Sequence, residues 1–435
     1  MKKSIFLLLL PMLLLSSCGT KKPQGNDLPV DEEEPGEIEE ISLPKFTIDT
    51  VGSTPITSKE EYVQGTLSIS NTDWYNDENL SLGIRGRGNY SWSGTEKKSY
   101  RIKFDEKYQP LGQGKGKCKS WTLLAVHCDK SLLRTHAAFH FASQLNNLPF
   151  TSSSSFVELY LNGSYDGVYE LCDQIQVNKY RVDIDDSGEE EDIGYLVELD
   201  KNASENVIST SRGETFEVKS DYMNTNQLTY IQNYLRSCEN AIYSGNQSTI
   251  ASLIDIPSMV DAYLVEEVFK NLDVGWGSFY YTKPKGDKLK FGPVWDFDLS
   301  AGNAKSDNGE SSFYSYKYTY VGNSHFKNYM QQHSWYLQLR KQSWFNNLVK
   351  ERYFEVEPYI QNTIDNIEYM AKRYHSGFEN NFTRWEIFDQ KINREPAVIM
   401  NIKTFDGQVE YLVDWLTNRM SWLDDFYKGE QADLN

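Results

Sequence analysis

The chain has 435 residues, a formal net charge of −18, 39% hydrophobic residues and 14% aromatic ones. That apolar content supports a large core in one domain or two, and the acidic surplus excludes a basic nucleic-acid footprint. Residues 19–44 hold eight acids against two lysines, so a third of the excess sits in one short segment.

Lys2 and Lys3 precede an apolar run, Ile5 to Leu15, interrupted by Pro11 and followed by Ser16-Ser17-Cys18-Gly19. The run is shorter than the roughly 20 residues a membrane-spanning helix needs. It reads as the core of a secretory signal over residues 1–17. Small residues ahead of Cys18 read as a lipoprotein cleavage site that leaves Cys18 lipidated. Residues 18–44 combine Pro, Gly and acids with few apolar side chains, the composition of a disordered tether. The expected address is the cell envelope, outside the cytoplasm, with the lipid in the outer membrane. Beyond Cys18, the cysteines Cys118, Cys128, Cys172 and Cys238 allow three disulfide pairings or four buried thiols.

From Phe46 the chain alternates in short runs. Strands are predicted at Phe46–Asp49, Tyr62–Ile69, Leu80–Arg85, Ser99–Phe104, Trp121–Ala125, Phe156–Leu161 and Gly167–Gln174. Asn162-Gly163 joins the last two as a hairpin turn. One helix interrupts them at Ser131–Leu145. Helices are also predicted at Gln227–Ser244 and Pro257–Asn271, the latter with an apolar stripe of Val260, Tyr263, Leu264 and Val268. A hairpin at Ser278–Lys283 and Lys288–Phe291 follows, then amphipathic stretches at Trp335–Phe354, Val356–Tyr374 and Gln408–Phe426. The pattern is α+β: a mixed or antiparallel sheet domain over 45–305 and a helical portion over 306–435 packed on it.

Three segments carry chemistry. Trp295-Asp296-Phe297-Asp298 places two carboxylates two residues apart, on one face if the segment is extended. Such oxygens suit Mg²⁺, whose shell nucleotide phosphates often complete. Asp273 follows the helix ending near Asn271 and is placed as a general base for a hydroxyl. Arg85-Gly86-Arg87-Gly88 and Lys97-Lys98-Ser99-Tyr100-Arg101-Ile102-Lys103-Phe104 supply cations and close backbone approach for phosphate. In the second run Tyr100, Ile102 and Phe104 share one face, and Arg101 and Lys103 the other. Each feature alone is equally an ordinary solvated surface; their combination is the signal. His136 and His140 lack the acid of a zinc-protease motif. The run Gly112 to Lys117 has the wrong spacing for a P-loop and reads as a flexible loop.

In order, Ile84–Trp92 (IRGRGNYSW), Lys97–Phe104 (KKSYRIKF), Trp121–Arg134 (WTLLAVHCDKSLLR), Val157–Ile175 (VELYLNGSYDGVYELCDQI), Gly194–Leu199 (GYLVEL), Tyr263–Asp273 (YLVEEVFKNLD) and Gly292–Gly302 (GPVWDFDLSAG) resemble the spore-coat CotH kinase family of atypical protein kinases. The resemblance covers roughly residues 80 to 305. It implies a kinase-like fold and transfer of the ATP γ-phosphate to a protein Ser or Thr, with Mg²⁺ or Mn²⁺. It implies Asp273 as the catalytic residue, Asp296 and Asp298 as metal ligands, and Arg85, Arg87, Lys98 and Lys103 as phosphate ligands. Where relatives carry a glutamate after the hairpin, this chain reads Leu171-Cys172-Asp173, with Glu170 on the other side of the strand. Expected partners are a Ser/Thr-rich or envelope protein and the membrane through the lipid, and no nucleic acid. The alternative is a non-catalytic surface module of the same fold that binds glycan or protein through its aromatic residues.

Overall fold

The alternation of apolar and polar residues over residues 45–173 produces strands whose inner side chains meet in a closed ring. The computed structural model describes residues 38–72, 76–220, 223–329 and 331–434, so the signal segment and Cys18 lie outside the described residues. Seven strands form the ring: β1 (Lys45–Thr50), β2 (Val63–Ser70), β3 (Asp77–Arg87), β4 (Ser99–Tyr108), β5 (Cys118–Leu124), β6 (Ser154–Leu161) and β7 (Ser164–Asp173). Their order is β1-β2-β3-β4-β5-β7-β6, closed by a parallel pairing of β1 with β6 in which Phe46 faces Leu159. Phe46, Ile48, Leu82, Ile84, Ile102, Trp121, Leu123 and Leu171 fill the barrel and are fully buried. At the β6–β7 turn Asn162 and Gly163 both take positive φ, 49° and 78°, as a two-residue primed turn requires. The mixed sheet expected in an α+β chain is thus closed into a barrel, with one parallel pairing among antiparallel ones.

A second, antiparallel sheet has the order β12-β11-β8-β10-β9. Its members are β8 (Tyr195–Leu199), β9 (Val207–Ser209), β10 (Thr215–Val218), β11 (Phe279–Lys283) and β12 (Lys290–Phe291). The helices are α1 (Tyr90–Ser93), α2 (Arg134–Ser143), α3 (Thr225–Ser244), α4 (Gln247–Leu253), α5 (Ile256–Phe269), α6 (Ser334–Leu339), α7 (Ser343–Arg373), α8 (His375–Arg384), α9 (Ala397–Met400) and α10 (Phe405–Lys428). Side chains of α2, α5, α7 and α10 join those of the second sheet in one apolar cluster. α5 lies at its centre. Residues Ser258 to Phe269 are all buried, so the expected stripe is only part of a helix enclosed on every side. Two of its three acids are paired, Asp261 with Arg352 at 2.7 Å and Glu267 with Arg419, while burial raises the pKa of the third, Glu266, to about 8.

The helical stretch expected to break at residue 355 breaks instead at residues 340–342, and α7 runs through Pro358. Residues Glu39–Asn435 form a single unit that includes the helical portion. Residues 39–44, expected to belong to the tether, lie against the end of α7: Ile41 N–H donates to the Arg373 carbonyl at 2.8 Å, and Leu43 is buried against Gly377. The glycine-rich segment after β4, expected to be flexible, is fixed by buried Gln113, whose amide donates to the Leu171 carbonyl at 2.8 Å. Cys118, Cys128, Cys172 and Cys238 are buried free thiols. No described helix is long and apolar enough to cross a membrane.

Candidate active site

The strand alternation that fills the barrel with Leu82, Ile84, Tyr100 and Ile102 turns Arg85, Arg87, Arg101 and Lys103 outward. There they form one wall of a cleft of about 970 Å³. Register makes this wall unusual. Arg85 and Arg101 lie directly opposite each other on β3 and β4. Like charges in that position destabilise a sheet unless something neutralises them. Among the described residues none of the four cations has an ion-pair partner, and the Nε atoms of Arg85 and Arg101 have no hydrogen-bond acceptor. The Arg101 side chain reaches only the Ser120 hydroxyl, at 3.3 Å. Burial first, then Arg85, Arg87 and Arg181, push the Arg101 pKa down. A recess of about 220 Å³ at this end is lined by Arg85, Arg87, Arg101, Lys59, Gly88, Asn89, Gln174 and one acid, Glu60.

Asp273, Asp296 and Asp298 line the other side of the same cleft. α5 ends on Lys270 in the left-handed conformation (φ 50°), which turns the chain into Asn271-Leu272-Asp273. Asn271 then ties two loops together. Its side-chain Oδ1 accepts from the Asp273 N–H at 3.1 Å, and its Nδ2 donates to the Asp296 backbone carbonyl at 3.3 Å. Asp296 itself has φ 69°, so the segment is not the extended strand expected. Phe297 anchors in the core with its ring 5.9 Å from that of Phe269, and both flanking carboxylates still reach the cleft. The Ser278 hydroxyl donates to Asp296 Oδ2 at 3.2 Å.

Electrostatics link the three acids. Burial and the neighbouring Asp296 raise the Asp273 pKa to about 7, against an opposing pull from Arg394. Asp298 is pushed well up by burial and then by Asp296, Asp273 and Asp129. The depth of the cleft raises the Asp296 pKa, and Arg87 pulls it back. Three carboxylates that disfavour one another's ionisation would be relieved by a cation. Among the described residues no three His, Cys, Asp or Glu side chains gather closely enough to hold a metal by themselves. Mg²⁺ does not require that: it binds through one or two carboxylates with waters and phosphate oxygens. Asp296 and Asp298 fit that donor set.

The cleft therefore gathers Arg85, Arg87, Lys103, Asp273, Asp296 and Asp298. Lys98 is not among its lining residues. Its ammonium donates to the carbonyls of Trp92, at 2.6 Å, and Thr95, closing the α1 turn. Asp173 does not meet a cleft lysine either. It pairs with Arg181 at 3.2 Å and accepts from the Ser153 hydroxyl at 2.5 Å. Glu170, on the opposite face, is fully buried, and burial raises its pKa to about 8. Arg101, read with Lys103 on the polar face of its strand, lines the same wall. One feature went unread. An ion pair, Lys219 with Glu198 at 2.8 Å, lines the cleft from β8 and the end of β10; nothing in the sequence marked it.

No curated protein sequence matches the chain. A family model described as CotH kinase protein matches residues 84–423. That span includes both walls of the cleft and runs well past residue 305, where the resemblance read from the sequence faded. The helical portion is thus part of what the family shares, and the chain belongs to the CotH kinase family.

Proposed function

We propose that this cleft transfers the γ-phosphate of ATP to a Ser or Thr hydroxyl of a protein, with Mg²⁺. One observation carries the reading: unneutralised cations on β3 and β4 face a group of mutually repelling carboxylates across one cavity of nucleotide size. Phosphoryl transfer needs that pairing of cations for phosphate oxygens with carboxylates for a metal and a hydroxyl. Arg85, Arg87, Arg101 and Lys103 would hold phosphate oxygens. Asp296 and Asp298 would hold the metal, which when bound neutralises the charge developing on the phosphates. Asp273 would orient the acceptor hydroxyl and take its proton as the oxygen bonds to the γ-phosphorus and ADP departs. A pKa near 7 suits a group that must accept that proton at neutral pH.

The glycan-binding alternative drew on the aromatic load. Among the described residues the exposed large aromatics are Tyr90, Phe354 and Tyr369, so most of that load packs the core.

The lipid anchor on Cys18 and the envelope address are part of the proposal, resting on the signal pattern at residues 1–18. They make a neighbouring envelope protein the natural acceptor. Calorimetry with ATP, with and without Mg²⁺, tests the site. Binding should require the metal and disappear in Asp296→Ala; metal-independent binding, or none, defeats the reading. Incorporation of labelled fatty acid, lost in Cys18→Ser, tests the anchor.

A further inference from the structure

Asp273 is held from outside its own loop. Gln331 Nε2 donates to Asp273 Oδ1, and Gln331 Oε1 in turn accepts from the guanidinium of Arg394. Arg394 is fixed by its other bonds, to the Tyr329 hydroxyl at 2.7 Å and to Asp307 at 2.8 Å. The backbone is stitched at the same place: Gly275 N–H donates to the Gln331 carbonyl at 2.7 Å. A Cβ on Gly275 would collide with the backbone of Gln332 and His333, so this approach requires glycine.

Directionality gives the chain of contacts a meaning. An arginine can only donate, so it compels the Gln331 amide to turn its oxygen toward Arg394 and its NH₂ toward Asp273. One carboxylate oxygen of Asp273 is thereby occupied. Among the described residues Oδ2 receives no hydrogen bond, and Asp273 lines the cleft. Asn393, beside Arg394, lines it as well.

We infer that Gln331 and Arg394 are positioning residues that orient Asp273 so that Oδ2 is presented to the acceptor hydroxyl. This rests on the phosphotransfer reading above. Neither residue would touch the nucleotide or the acceptor. Both come from the portion beyond residue 305, so the helical region completes the site as well as supporting it.

The test uses the full chain, Mg-ATP and a synthetic Ser-rich peptide. Gln331→Leu and Arg394→Gln should each lower kcat for peptide phosphorylation about 10- to 100-fold, the scale of a misplaced reacting group. The KM for ATP should hold, because no contact to the nucleotide is removed. Since both act through one chain of contacts, the double variant should be no slower than the worse single variant. Arg394→Lys, which keeps a donor, should recover part of the loss. Wild-type kcat in either single variant overturns the inference, and so does a parallel rise in the ATP KM. Crystal structures of wild type and Arg394→Gln separate this inference from the reading beneath it. If wild type transfers no phosphate but the Asp273 carboxylate rotates in the variant, the positioning stands and the phosphotransfer reading falls. An unchanged rotamer in an inactive protein defeats both.

Discussion

Arg134, Arg181 and Arg419 are fully buried, each beside a carboxylate: Asp129, Asp173 and Glu267. Arg85, Arg87, Arg101 and Lys103 line the cleft with no such partner. The core cations are also netted into backbone. Arg419 donates to the carbonyls of Tyr316 and Tyr318, both at 2.8 Å, and ties α10 to the loop that covers α5. The cleft cations, two of them opposed across a strand pair, repel one another. Each of the three buried arginines has its carboxylate, whereas the cleft wall is left open to an anion from outside the protein.

If that division is real, substitutions on the two sides should act on different observables. The largest effect should come from Asp273→Ala. Transfer to a Ser-rich peptide should fall 10²- to 10⁴-fold, the usual weight of a positioned base, with metal-dependent ATP binding and stability unchanged. Loss of binding as well would place Asp273 with the structural charges. In the core, Arg419→Met leaves Glu267 buried without its counter-ion and should cost about 3–5 kcal/mol in urea unfolding. A cost under about 1 kcal/mol would blur the comparison.

Glu170 provides a pH-dependent version of the core side. Its pKa is raised from the ordinary 4.5 to about 8, so the folded state keeps a proton that the unfolded chain releases. Its contribution is therefore fully present below pH 4.5 and is lost as pH rises toward 8. Glu170→Gln should remove this loss, worth on the order of 1–3 kcal/mol at pH 7, and flatten thermal midpoints measured between pH 5 and 8. A Gln variant with the wild-type slope would show that Glu170 is not the source. The smallest effect should be the most discriminating. Arg101→Gln relieves the cross-strand repulsion with Arg85 and should stabilise the barrel by about 0.2–1 kcal/mol. The same change should weaken Mg-ATP binding about tenfold. A variant that loses stability would show that Arg101 already has a structural partner.

Strand positions were legible because one face of each had to be apolar: YRIKF gives both the buried Tyr100 and Ile102 and the outward-facing, half-buried Arg101 and exposed Lys103. Asn162-Gly163 fixed a turn for the same local reason. Closure of the barrel was not legible, since it depends on Lys45–Ile48 meeting Glu158–Leu161 across more than a hundred residues. β9 and β10 escaped because runs of three and four residues are too short to establish a period. The break expected between Phe354 and Val356 is absent, because packing of α7 against α2 and α5 carries one helix through both that point and Pro358. In the site, the carboxylates were readable from their motifs and their spacing to neighbouring elements. Gln331 and Arg394 were not. They sit in irregular chain with no periodicity, and only the fold brings them to Asp273.

The parallel pairing of β1 with β6 also bears on the order of assembly. β1 can pair with β2 early, but its other edge has no neighbour until residues 154–161 have been made and positioned. Until then a strand edge carrying Phe46 and Ile48 is free to pair with another chain. Such a distant contact forms slowly, and exposed edges in slow-folding intermediates favour aggregation. The newly synthesised chain therefore has a period of vulnerability that ends only when its first strand finds its sixth, and shielding by a chaperone would matter most in that interval.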